Sequence, residues 1–199
     1  MKQLLVEGKN DLHIISALCL HHAIPENFEV IDCEGVVKLL GSLSTRLKQS
    51  RLDALAIVVD ADTDINTRWQ SLQSKLATAG YTLPNQPPLD GFFDNSKKVK
   101  LGVWVMPNNQ LNGMVEDFIK LLIPQNDQLL PIAENVLNDI ESKKLNQYKL
   151  VHKPKALVHT WLAWQAEPGI PMGQAITKYA LGNSLSCRLL IDWLTKVFA

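Results

Sequence analysis

The first hundred residues alternate short apolar runs with segments in which apolar residues recur every three or four positions. The apolar runs have the length of β-strands and lie at residues 3–6, 28–32, 54–59 and 99–106. The periodic segments are typical of amphipathic helices and lie at residues 12–19, 36–49 and 65–79. This order predicts an α/β fold, with a parallel four-stranded sheet flanked by helices and joined by right-handed crossovers.

The chain changes character after Pro107, where strand-like runs stop and helical periodicity takes over. Four further helices are predicted, at residues 113–122, 127–144, 153–165 and 185–198. We therefore expect an α/β domain over residues 1–110 and a helical extension over residues 111–199 that packs on it.

Composition and charge narrow the classes of protein. Lys and Arg together number 20, as do Asp and Glu, so the chain has no overall basic signature of nucleic-acid binding, although a local basic patch stays open. No apolar run approaches the roughly 20 residues of a membrane span, and the N-terminus turns polar too soon for a signal peptide. The three cysteines form no CxxC pair, which argues against a zinc site. A cytoplasmic protein without membrane contact is expected.

Acidic residues are concentrated where two of the predicted strands end. Glu7 follows the first strand, and Asp60 and Asp62 follow the third, in the stretch VVDADTD. Ligands of open parallel sheets bind beyond the carboxyl ends of the strands, and clustered carboxylates repel one another unless a cation lies between them. The sequence therefore predicts a site for Mg²⁺ or Mn²⁺ at this edge. Asp64 stands where a residue capping the next helix would be.

The stretches LLVEGKNDLHII and LAIVVDADTD together resemble the Toprim domain of topoisomerases, primases, RNA maturases and the overcoming-lysogenization-defect (OLD) nucleases. Glu7-Gly8 and Asp60-Ala61-Asp62 match the Glu-Gly and Asp-x-Asp of that domain, over residues 1–110. The whole chain, with PNNQLNGMVEDF and KALVHTWLAWQ, is similar to small stand-alone bacterial Toprim-like proteins of unknown function related to the OLD nucleases.

The resemblance implies a Toprim-like sheet and assigns roles to the acidic residues. Asp60 and Asp62 would hold Mg²⁺, and Glu7 would be a metal ligand or a general acid/base. In OLD-type enzymes a later acidic residue supports a second metal, and Glu116 is the matching candidate. Asp117 lies beside it, and both would equally suit the charged first turn of a helix.

Basic and amide side chains are candidates for binding phosphate. An active-site lysine follows the Toprim core in OLD-type nucleases, which points to Lys155, with Lys153 as the alternative. Lys9 follows Gly8 at the start of the first helix, where a phosphate could bind. Asn108 lies at the end of the last predicted strand, where a ligand contact and a turn are both open.

Departures from the larger Toprim proteins narrow the predicted activity. The chain is too short for a topoisomerase, its cysteines build no primase zinc module, and it has no GxxxxGK[ST] loop for an ATPase. The prediction is a metal-dependent endonuclease acting on DNA or RNA, with any ATPase a separate partner and a homodimer left open. The alternatives are a non-catalytic module that binds nucleic acid, nucleotide or protein, and a receiver-like phosphotransfer domain.

Overall fold

The computed structural model describes residues 1–199 and contains one mostly parallel sheet of five strands. The strands are β1 (Lys2–Val6), β2 (Glu29–Asp32), β3 (Ala54–Asp60), β4 (Phe92–Asp94) and β5 (Lys100–Met106). Eight α-helices flank it: α1 (Lys9–His21), α2 (Val36–Leu47), α3 (Ile65–Ala77), α4 (Val115–Leu122), α5 (Leu129–Ser142), α6 (Lys153–Ala163), α7 (Met172–Lys178) and α8 (Leu185–Phe198). The α/β class is confirmed.

The spatial order of the strands is β2-β1-β3-β5-β4. Strands β2, β1, β3 and β5 are parallel, as predicted, and the short β4 pairs antiparallel with β5 at one edge. The sequence predicted four strands and missed β4, whose three residues lie in a stretch rich in Pro, Gly and Asn. A receiver-like fold would have a fifth parallel strand after β5, and only helices follow β5, so the chain does not have that topology.

The two faces of the sheet are covered by different parts of the chain. One face packs on α2 and α3, through a cluster of 19 buried residues that all lie before Pro107. The other face packs on α1 and on helices that follow β5, through a cluster of 30 buried residues. Because side chains alternate between the faces of a strand, β3 contributes Ala54, Ala56 and Val58 to the second cluster and the intervening residues to the first.

Helix α8 lies against the β4–β5 edge and depends on two glycines there. The indole of Trp193 is buried and donates a hydrogen bond to the Phe92 carbonyl, at 2.8 Å. A β-carbon on Gly91 or Gly102 would lie 2.5 Å or 2.9 Å from the indole ring. The last helix therefore packs directly on the backbone of the sheet.

Most predicted helices and strands lie within a few residues of their observed bounds. The exceptions are β4 and α7. The sequence did not predict α7 because seven residues are too few for a clear periodic pattern. No helix in the structure combines the length and apolar character that crossing a membrane requires.

Candidate functional site

The chain reverses its direction of travel across the sheet at β1, which lies between β2 and β3. From β1 the chain moves outward to β2, then returns to β3 on the other side of β1. In parallel α/β sheets such a reversal opens a crevice at the carboxyl ends of the two inner strands, where ligands bind. Glu7 and Asp60 lie at these two ends, so the fold places them at this crevice.

Glu7 and Asp60 are in direct contact across the crevice. The Glu7 carboxylate accepts a hydrogen bond from the backbone N–H of Asp60, with Oε1 and N 2.9 Å apart. Residues separated by more than fifty positions in sequence thus meet at one sheet edge, as the sequence predicted. Burial raises the pKa of Glu7 above its ordinary value, although this hydrogen bond and the nearby Arg68 guanidinium oppose the shift.

Two further carboxylates join this pair from the starts of helices. Asp11, in the first turn of α1, is 6% exposed, and Glu116, in the first turn of α4, is 4% exposed. Charged side chains are rarely buried so completely unless a counter-charge accompanies them. We refer to Glu7, Asp11, Asp60 and Glu116 as the carboxylate cluster.

The carboxylates of the cluster repel one another when they are ionised. One oxygen of Asp11 and one of Asp60, Oδ1 in each case, are buried and have no hydrogen-bond partner. Burial raises the pKa of Asp11 to about 7, and Glu7 and Glu116 act in the same direction. Burial likewise raises the pKa of Asp60 well above its ordinary value, and the other carboxylates add to the shift. These groups need either protons or a cation.

Asp62 lies at the rim and is paired with an arginine. Its carboxylate accepts a hydrogen bond from Nη2 of Arg68, at 2.6 Å, while Nε of Arg68 donates to the Asp60 carbonyl, at 2.7 Å. The backbone of Asp62 has a φ of 54° and exchanges two hydrogen bonds with Gly113, at 2.8 and 2.7 Å. The loop after β3 is thus fixed to the loop before α4.

The other acidic residues near the site have structural partners. Asp64 caps α3, because its carboxylate accepts hydrogen bonds from the Asn66 N–H and the Thr67 hydroxyl, which confirms the predicted cap. Asp117 accepts a hydrogen bond from the N–H of Met114, at 2.9 Å, and so fixes the start of α4. Glu116, beside it, is in no hydrogen bond and belongs to the cluster.

The amide side chains after β5 mainly build the loop. Oδ1 of Asn108 accepts hydrogen bonds from the N–H groups of Gln110 and Leu111, which is a turn, and its side-chain N–H₂ group has no protein partner. Asn112 bridges to the loop after β3, accepting from the Ile65 N–H and donating to the Thr63 carbonyl. The predicted ligand contact of Asn108 stays a prediction.

The predicted lysines make no contact with the carboxylate cluster. Lys9 is exposed and free of hydrogen bonds and ion pairs. Lys155 is exposed beside His152 and His159, which line a surface cavity of about 320 Å³ with it. The alternative, Lys153, is paired with Glu141 on α5. The catalytic role of Lys155 stays a prediction, and the cation that the structure places at the site is Arg68.

The donor set suits a hard divalent cation in its chemistry, although the ligands do not converge as the side chains stand. No group of three or more His, Cys, Asp or Glu side chains surrounds one point closely enough to hold a metal ion. Glu7 is turned to the backbone of Asp60, and Asp62 to Arg68. The unpartnered oxygens of Asp11 and Asp60 are the donors left free for a cation such as Mg²⁺.

Sequence reasoning missed Asp11 and Arg68 as site residues. The one available signal for Asp11 was its position in the first turn of the helix that follows Glu7, and no periodicity showed that the two carboxylates share a site. Arg68 follows Asp62 by six residues and reaches back from the first turns of α3. Nothing in the sequence distinguished it from the solvent-facing residues of an amphipathic helix.

Comparison with known proteins gives one match. A family model described as "Protein of unknown function (DUF3226)" matches residues 1–199, the whole chain. No curated protein and no solved structure matches it.

Proposed function

The chain belongs to the DUF3226 family of proteins of unknown function, and we propose that it is a Toprim-type, Mg²⁺-dependent phosphodiesterase that cleaves DNA or RNA. The observation that carries this proposal is the carboxylate cluster at the β1–β3 crevice, with its two buried and unpartnered carboxylate oxygens. Buried acids without a counter-charge cost stability, so their presence together at one crevice favours a function that uses them.

Asp60, Glu116 and Asp11 would hold the cation in this proposal, with Glu7 as a fourth ligand or as the group that moves a proton. Once bound, Mg²⁺ or Mn²⁺ would balance the clustered charge and polarise a phosphate oxygen. Asp62 would bind the cation only if it released Arg68. Four carboxylates are enough for one or two ions, since Mg²⁺ accepts one or two of them and fills its remaining positions with water and phosphate.

The protein's own groups would orient the substrate. Rotation of the Glu7 side chain away from the Asp60 N–H would aim a carboxylate with a raised pKa into the crevice, where it could accept or return a proton. The loops after β3 and before α4 are fixed to each other through Asp62 and Gly113, so they present a rigid rim to a bound strand. Lys155 remains the proposed catalytic lysine, and Lys9 and Asn108 remain proposed phosphate contacts. A homodimer or a separate ATPase remains a proposed partner.

The test is a cleavage assay on plasmid DNA and on structured RNA, with Mg²⁺, Mn²⁺ or EDTA. We expect metal-dependent cleavage that Glu7→Gln and Asp60→Asn each reduce by at least about a hundredfold, the usual effect of losing one acid/base or charge-stabilising group. The matched control is Asp192→Asn, an exposed carboxylate on α8 with no hydrogen bond or ion pair. Cleavage that persists in EDTA or in Asp60→Asn would reject the proposal.

A second candidate is a non-catalytic module that binds nucleic acid, nucleotide or protein. The observation in its favour is that no three side chains surround a metal position and that Arg68 already holds Asp62. Metal binding without turnover of any nucleic acid, or nucleic-acid binding that is insensitive to EDTA, would favour this module over the enzyme.

A further inference from the structure

Arg68 is held in a fixed orientation at the rim of the carboxylate cluster. Its Nε–H donates to the Asp60 carbonyl and its Nη2 donates to the Asp62 carboxylate, and the arginine side chain is only 13% exposed. The two contacts use the same side of the planar guanidinium, so they set its plane as well as its position. An arginine immobilised in this way loses little further freedom when it binds a ligand.

The guanidinium keeps free donors. A guanidinium has five N–H groups. Two of them donate to the Asp60 carbonyl and the Asp62 carboxylate, and the other three have no protein partner. Nη1 donates no hydrogen bond and is not fully buried, so solvent can reach it. Its positive charge is close enough to Glu7 to oppose the rise that burial causes in the pKa of that carboxyl, which places the guanidinium beside the cluster.

We propose that Arg68 binds a phosphate of the nucleic-acid strand through the free edge of its guanidinium. Guanidinium and phosphate are matched in charge and in the spacing of their donors and acceptors, and such bonds are charge-assisted. The inference rests on the proposed function and names the group that holds the substrate there. It is independent of Lys155 and Lys9, neither of which contacts the cluster.

Asp62 is then the positioning residue for Arg68, and it does not bind the cation while it is paired with that arginine. Its exposed carboxylate faces the guanidinium, and its left-handed backbone is fixed by the two hydrogen bonds to Gly113. In this proposal the cation is bound by the carboxylate cluster without Asp62. Substitution of Asp62 should therefore weaken binding of a phosphate-bearing strand and leave metal binding intact.

Fluorescence anisotropy of the intact protein with a short labelled single-stranded DNA, and with the RNA of the same sequence, tests this. Ca²⁺ replaces Mg²⁺ so that the strand is bound and not cleaved. We expect Arg68→Gln to weaken binding about tenfold or more, the effect of losing a charge-assisted hydrogen bond. The slope of log affinity against log salt should fall by about one, since one phosphate contact is lost. The affinity of Arg68→Lys for the strand should lie between those of the wild-type protein and Arg68→Gln.

Controls separate this role from a structural one. Arg51→Gln removes an exposed arginine before β3, at the opposite edge of the sheet, and should bind the strand like the wild-type protein. Mn²⁺ affinity, measured by electron paramagnetic resonance, should be unchanged or tighter in Arg68→Gln and unchanged in Asp62→Asn, while Asp62→Asn binds the strand more weakly. Thermal unfolding shows whether each variant is folded.

The outcomes distinguish the two proposals. Strand binding by Arg68→Gln with wild-type affinity and salt slope would overturn the role of Arg68 and leave the metal site standing. Loss of Mn²⁺ binding in Arg68→Gln or Asp62→Asn would also overturn it, because the pair would then build the metal site. Failure of the wild-type protein to bind Mn²⁺ would reject the proposed function, and with it the inference.

Discussion

Asp11 is the residue at which the effect of burial and of neighbouring carboxylates is easiest to measure. Burial raises its pKa from an ordinary value of 3.8 to about 7, so the folded protein keeps a proton that the unfolded chain releases. Its contribution to stability is therefore complete below pH 3.8 and is lost as the pH rises to about 7. A divalent cation would remove this loss.

In EDTA, we expect the free energy of unfolding of the wild-type protein to fall by a few kcal/mol relative to that of Asp11→Asn between pH 4 and pH 7. The expected loss is about 1.4 kcal/mol for each unit by which the pKa is raised. Asn is neutral throughout and has no such dependence. Urea denaturation across this range, with and without Mn²⁺, measures the effect. Asp192→Asn is the control, and a difference between wild type and Asp11→Asn that does not change with pH would show that Asp11 is ionised in the folded state.

The sequence located some of the site residues and not others for a physical reason. Glu7 and Asp60 follow neighbouring strands of a parallel sheet, and the topology alone brings such positions to one edge. Glu116 was indicated by the resemblance to OLD-type enzymes. Asp11 and Arg68 lie in the site because the first turns of α1 and α3 pack against it, and such packing cannot be read from the sequence. The pairing of Arg68 with Asp62 is a contact between side chains, and no periodicity predicts such contacts.

Gly113 is the point at which two elements of the site meet. Its φ of 137° lies where residues with a β-carbon are rarely found, and a β-carbon there would be 2.5 Å from Oδ2 of Asp117. The same residue exchanges backbone hydrogen bonds with Asp62. The start of α4, which carries Glu116, and the loop after β3 therefore depend on a glycine at this position.

We expect Gly113→Ala to lower the free energy of unfolding by more than about 2 kcal/mol, since it combines backbone strain with a steric clash. Gly169→Ala is the matched control, because Gly169 also has a positive φ, 82°, but nothing within 4 Å of an added β-carbon. It should cost about 1–2 kcal/mol, the backbone term alone. Urea denaturation compares the two, and equal losses would show that Asp117 yields to the new methyl group.

Whole elements were predicted best where their pattern was long. Helix α8 begins and ends where its periodicity placed it, and β3 is recognisable as seven consecutive buried or half-buried residues. Strand β4 and helix α7 were missed because three and seven residues give no period to detect. Both take their conformation from neighbours: β4 from pairing with β5, and α7 from packing against α1, where the backbone of His13 approaches Gly173.

At the scale of the molecule, the sheet divides the chain unequally. Residues before Pro107 supply the whole layer of α2 and α3 on one face, whereas the other face is covered by α1 together with α4, α6, α7 and α8. Trp104 and Met106 of β5 belong to the second face and are fully buried there. Without residues 111–199 this face of the sheet would be exposed along β3 and β5, and Glu116 would be absent from the cluster.

We therefore expect the fragment 1–110 to lack a cooperative unfolding transition and to bind a hydrophobic dye, because an uncovered apolar sheet face of this extent is unstable in water. Co-expression with the fragment 111–199 should restore a cooperative transition and the binding of Mn²⁺, since it returns both the covering helices and Glu116. Trp193→Ala in the full chain is a milder version of the same change and should cost about 3–5 kcal/mol. A fragment 1–110 with a sharp urea transition and dispersed amide resonances would show that α1 alone suffices to cover this face. The helices after β5 would then serve the site only, by carrying Glu116 to the ends of β1 and β3.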